Sequence, residues 1–180
     1  MKYIGLAMIC SALVACGGSG VSVDGGKVNV ETVNTVPKLQ AVRVNASGVD
    51  ANGVVLINSG DFSIDWDATA VDASSFNLFL SQDAVKSDSD IEFFVTLNPQ
   101  SNKKASLKWD EQLAVLSVSG VPLPIKSFFA GNALGQGFVI ARGCGVIVDT
   151  ANGERKSCVE KTVAVKISNK ASVASAVAAI

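Results

Sequence analysis

From Val28 to Ile167 the sequence is a succession of short runs in which apolar and polar residues alternate, with Gly, Asn, Asp or Pro between the runs. A period of two is what a strand with one buried face requires, and no amphipathic helix of ten or more residues fits it. The runs are Leu39–Asn45, Phe62–Trp66, Phe76–Leu80, Ile91–Leu97, Ala105–Trp109, Leu113–Val118, Phe138–Arg142 and Thr162–Ile167. Val54–Ile57 is a short apolar run, Val28–Val33 a looser first strand, and Ile125–Phe129 a short strand or a turn. Eight to ten strands at this spacing predict an all-β sandwich or barrel. Trp66 should face the core, and Asp65 and Asp67 the solvent. The tail Ser172–Ile180 reads either as one helical turn set, with Val173, Val177 and Ile180 on a face, or as a frayed end.

The first sixteen residues follow a different rule. Lys2 precedes an apolar stretch from Ile4 to Ala15, of signal-peptide length and too short to span a bilayer. The stretch ends in Leu13-Val14-Ala15-Cys16, which resembles the lipobox of bacterial lipoproteins. The resemblance implies that residues 1–15 are removed and that Cys16 is acylated. Gly17 follows, where an Asp would imply retention in the inner membrane, so the resemblance implies a lipid anchor in the outer membrane. Gly17-Gly18-Ser19-Gly20 would behave as a flexible spacer. The expected organisation is a signal peptide over 1–15, an anchor and linker over 16–36, a sandwich over 37–170 and a tail over 171–180.

Cys10 falls in the removed segment and Cys16 carries lipid, which leaves Cys144 and Cys158. An even pair in an exported chain predicts a disulfide. Redox pairs usually sit as Cys-x-x-Cys, a tighter spacing than this one. Asn152-Gly153 is a hairpin signal between them, but a two-residue Asn-Gly loop would set Cys144 opposite Lys161. The cysteines oppose each other only if the hairpin is centred on Ala151, as with a loop from Asp149 to Gly153.

Within 58–97 the segments Phe62-Ser-Ile-Asp-Trp66, Phe76-Asn-Leu-Phe-Leu-Ser-Gln-Asp83 and Asp88-Ser-Asp90 resemble bacterial immunoglobulin-like modules of the fibronectin type III and cell-adhesion-related groups. Trp66 corresponds to a buried Trp on an early strand of those modules. Phe79 stands where a Tyr is usual, and the chain after residue 100 is longer than such modules need. The resemblance implies an immunoglobulin-like antiparallel β-sandwich, here with a C-terminal hairpin stapled by Cys144 and Cys158.

Charge and chemistry narrow the function. The chain has no histidine, which excludes Ser-His-Asp and Cys-His catalysis and His-ligated metals. Residues 50–95 hold nine acids and one base, whereas 101–180 hold ten bases and five acids. If the two halves lay on opposite sides the domain would be a dipole, with an acidic surface for a cation or partner. Asp83, Asp88 and Asp90 are the candidate Ca²⁺ ligands, since close carboxylates in a loop suit an ion with six to eight oxygen ligands. The same residues also stabilise turns by bonding their own backbone. No EF-hand spacing, phosphate loop or basic-aromatic interleaving is present, so nucleic acid is not an expected partner. The expectation is a non-enzymatic binding or accessory module of the cell envelope that contacts a protein or a glycan. The alternative is a structural subunit or assembly factor of an outer-membrane, secretion or pilus complex.

Overall fold

The computed structural model describes residues 22–24, 27–29, 32–69, 75–132, 134–149 and 153–169. Cys16 and the tail after Asn169 lie outside the described residues. Among these residues fourteen strands appear in chain order: β1 (Ser22–Asp24), β2 (Lys27–Asn29), β3 (Val33–Asn34), β4 (Lys38–Asn45), β5 (Gly48–Val49), β6 (Val55–Ile57) and β7 (Gly60–Thr69). They continue with β8 (Ser75–Ser81), β9 (Ile91–Thr96), β10 (Lys104–Asp110), β11 (Val115–Val118), β12 (Val121–Pro124), β13 (Gln136–Asp149) and β14 (Gly153–Ile167). One helical turn, α1 (Lys126–Phe129), separates β12 from β13.

The strands form the expected all-β sandwich. One sheet has the order β12-β11-β10-β7-β4, and the other β5-β6-β14-β13-β8-β9 with β3 added against β13. A separate two-stranded ribbon joins β1 and β2. The pairs are antiparallel except β6 with β14, which run parallel from Val55↔Val165 to Ile57↔Ile167. Because β4 belongs to one sheet and β6 to the other, the N-terminal part of the body crosses between sheets and ties them together.

The alternation decides which side chains are inside. On β7, Phe62, Ile64, Trp66 and Ala68 point inward, and on β10 Ala105, Leu107 and Trp109 do the same. They meet Phe76, Leu78, Leu80, Val139, Ala141 and Val165 from the opposing sheet. Trp66 stacks on Phe76 with ring centroids 4.6 Å apart and touches Phe94 at 5.4 Å. Both indoles would bury a polar N–H, and both are satisfied: Trp66 Nε1 donates to Pro99 O at 3.0 Å and Trp109 Nε1 to Ser168 O at 2.8 Å.

The C-terminal hairpin is longer than its alternation suggests. Its ladder runs from Gln136↔Lys166 to Asp149↔Gly153 and sets Cys144 directly opposite Cys158. The two are disulfide-bonded with Cα atoms 4.0 Å apart. The register excludes a two-residue Asn-Gly turn, as the cysteine spacing requires. Gly143 and Gly145 interrupt the apolar pattern of β13 for a packing reason. A Cβ on Gly145 would lie 2.3 Å from Thr35 O, and one on Gly143 would lie 2.5 Å from Pro37 Cγ. The segment between β3 and β4 therefore lies directly on β13, held by Thr35 N–H to Val146 O and Val146 N–H to Thr35 Oγ1.

Ile125–Phe129 is neither strand nor open turn. Lys126–Phe129 forms α1, which brings Ile125 and Phe128 into the core; Phe129 lies edge-on to Phe128 and 5.8 Å from Trp109. The two charge blocks do not lie on opposite sides, because β10 pairs with β7. Lys104 faces Asp65 and Lys108 faces Asp61, so acids and bases share one sheet face.

Candidate functional site

The acidic loop, the outer face of the five-stranded sheet and the free edge at β9 are the places where polar or apolar groups are presented rather than consumed by packing.

The loop between β8 and β9 folds back over the outer face of its own sheet. There Phe79 and its register partner Ile140 are 6% and 0% exposed, although neither belongs to the main core. Lys86 lies over Phe79, its Nζ 4.5 Å from the ring centroid. Asp90 holds Lys86 in place at 3.8 Å and is itself buried, with its side chain 4% exposed. Its Oδ2 accepts from Ser87 N–H at 2.7 Å and its Oδ1 from Ser87 Oγ at 3.0 Å. Lys86 Nζ also donates to Ser87 O. Asp83 accepts from Val85 N–H at 2.8 Å. Asp83 and Asp90 line a cleft of about 310 Å³ whose walls add Ser87, Ser89 and Ser127, while Asp88 does not line it. Among the described residues no group of three or more acidic or cysteine side chains is placed to hold a metal ion. The contacts seen are those of a loop that bonds its own backbone.

The outer face of the five-stranded sheet carries a groove of about 690 Å³. Its floor is a row across three strands that ends in the β11–β12 turn: Asn45 opposite Ser63, Ser63 opposite Ser106, and Ser106 bonded through its carbonyl to Ser119 N–H at 3.3 Å. Charged rows flank it. Arg43, Asp65 and Lys104 stand on one side, and Asp61, Lys108 and Ser117 on the other. Asp65 accepts from Asn45 Nδ2 at 2.7 Å and from Ser63 Oγ at 3.4 Å. Lys104 and Lys108 face carboxylates across the ladder, yet neither is within 4.0 Å of one among the described residues. Asp65 is on this face as predicted, opposite to buried Trp66. Sequence reasoning passed over the serine row. Its signal is serine at the centre of β7 and β10, where strands ordinarily favour β-branched or aromatic residues.

The third place is an edge. β9 ends the seven-stranded sheet and pairs only with β8 among the described residues. It contains neither Lys nor Pro, and Val95 and Leu97 are 52% and 73% exposed. The other ends differ: β5 is two residues long, β12 contains Pro122 and Pro124, and β4 runs against β14. A bulge at Phe93 is the single irregularity in the β8–β9 ladder.

The gap in the core among Phe62, Ile64, Trp109 and Ile167 measures about 10 Å³, too small for a ligand. No helix among the described residues is long and apolar enough to cross a membrane. Comparison of the chain with protein-family models, with curated proteins and with solved structures gives no match.

Proposed function

We propose that the protein is a non-catalytic contact module of the bacterial cell envelope. Acyl chains on Cys16 hold it at the outer membrane, and the Gly17–Gly20 spacer lets the sandwich stand off the surface. The partner engages the edge of β9. The observation that carries this reading is the contrast among sheet ends. Unpaired strand edges template pairing with another chain, and folded proteins usually blunt them with prolines, short strands or cover. Here three ends are blunted, and β9 presents backbone unpaired among the described residues beside exposed Val95 and Leu97. Strand addition at such an edge draws affinity from main-chain hydrogen bonds and specificity from alternate side chains. The same edge supports the narrower reading of a subunit or assembly factor in an outer-membrane, secretion or pilus complex.

A photo-crosslinker placed at Leu97 in the full chain, in growing cells, tests the contact. An adduct of defined mass is expected at Leu97 and not at Leu113, which is also well exposed but lies in the turn between β10 and β11. Adducts at neither position, with the protein present in the envelope fraction, would remove the edge reading. Protease treatment of intact and lysed cells then separates the two forms. Cleavage on intact cells favours adhesion or host contact, and protection until lysis favours the accessory subunit.

A calcium ion at Asp83, Asp88 and Asp90 is the finer part of the reading. To bind it, Asp90 must exchange its two donors on Ser87, and Asp83 its Val85 amide, for the ion. Calorimetric titration of the demetallated protein decides it, and no heat and no thermal shift at millimolar Ca²⁺ would remove the ion.

A further inference from the structure

We infer that the groove on the outer face of the five-stranded sheet is a binding site for a carboxylate-bearing glycan, lying across β4, β7, β10 and β11. The side chains of Asn45, Ser63, Ser106 and Ser119 bring amide and hydroxyl groups to the floor, which Phe62, Leu107 and Gly120 complete. A hydroxyl both donates and accepts, so such a floor matches a polyhydroxylated ligand better than an apolar peptide. None of the large exposed apolar side chains stands in the three rows.

The spacing suits a linear sugar chain. Adjacent strands lie about 4.8 Å apart, so the floor groups recur at close to the length of one pyranose residue. The flanking rows stand two residues along each strand, about 6.8 Å to either side. They stand as walls about a ring that lies flat on the serines.

The walls set the charge of the ligand. Asp65 is engaged by Asn45 and Ser63, which leaves the ammonium groups of Lys104 and Lys108 facing the groove without an ion pair among the described residues. Ammonium groups bind carboxylates as charge-assisted donors. Asp61 remains to accept from sugar hydroxyls. The three rows together hold three bases and two acids, in a chain whose overall balance is −1. This site does not depend on the β9 contact, since the two lie on different sheets.

Calorimetric titration of the full chain with an α-1,4-linked galacturonate hexamer tests it, with maltohexaose as the neutral comparator. The acidic hexamer is expected to bind, more weakly as NaCl is raised, and maltohexaose to bind at least about tenfold more weakly. Ser106→Phe fills the floor, and Lys104→Gln with Lys108→Gln removes the ammonium groups. All three positions are exposed, so the thermal midpoints should stay near that of the parent, and each variant should bind at least about tenfold more weakly. Leu97→Lys should leave glycan binding unchanged. Failure of the acidic hexamer to bind, equal binding of maltohexaose, or full binding by Ser106→Phe would each overturn the proposal.

Discussion

Asp90 shows how a surface loop can depend on one side chain. Its carboxylate accepts two bonds from Ser87 and pairs with Lys86, whose ammonium lies over Phe79. Removing one member leaves buried polar groups unpaired, and that cost exceeds the value of the bond itself. Asp90→Ala should therefore lower stability by about 2 kcal/mol, read as a lower denaturation midpoint in urea. Fluorescence or NMR should also report a more open Phe79. Gly145 is the second such residue. A Cβ there meets the backbone of Thr35 and Val36, which cannot rotate out of the way. Gly145→Ala should detach β3 from β13, seen as faster hydrogen exchange at Thr35 and Val146, with a loss of about 1–3 kcal/mol. Of these two residues only Asp90 was visible in the sequence, as one of three acids. The sequence offered no means to see that Asp83 and Asp90 share a cleft wall while Asp88 does not, because that depends on how the loop folds back.

At the scale of elements, the alternating runs marked β4, β7, β8, β9 and β10 to within a residue or two at most ends, because each has one buried face. Legibility failed where a second constraint broke the alternation. β12 escaped because two prolines do not read as a strand, although it pairs antiparallel with β11 as an edge. Its turn, Ser119-Gly120, has positive φ at both residues, as the twist-matched two-residue hairpin requires. The distal arms of β13 and β14 escaped because Gly143, Gly145 and the charged run Glu154–Lys156 hide them. The cysteine spacing was the one clue to their register. The disulfide closes this hairpin where it extends past its pairing with β8, which ends at Cys144↔Ser75. Cys144→Ala with Cys158→Ala should cost about 3 kcal/mol, read in guanidinium unfolding, and reductant should bring the parent to the same value. If the arms were held by pairing alone, parent and variant would unfold together.

At the scale of the whole molecule, the anchor proposed at Cys16 would hold a sandwich whose two exposed features lie on different sheets. β9 is the free end of one, and the serine groove covers the outer face of the other. Two such contacts on one body act together only if the body is held near both partners. That is the physical use of an anchor: confinement to a surface raises the effective concentration of each weak contact. A single acyl chain gives marginal binding, and two or more give stable anchoring, so the anchoring proposed at Cys16 has a sharp consequence. Cys16→Ser should abolish acylation and shift the protein from the membrane fraction to the soluble fraction or to an uncleaved precursor. The sandwich should keep its thermal midpoint, since among the described residues burial begins at Pro37 and the core cluster at Leu39, about twenty residues along the chain from Cys16. Crosslinking at Leu97 should then fall several-fold, although β9 itself is unaltered. If membrane association persisted in the Cys16 variant, the sheet contacts alone would be holding the protein at the envelope.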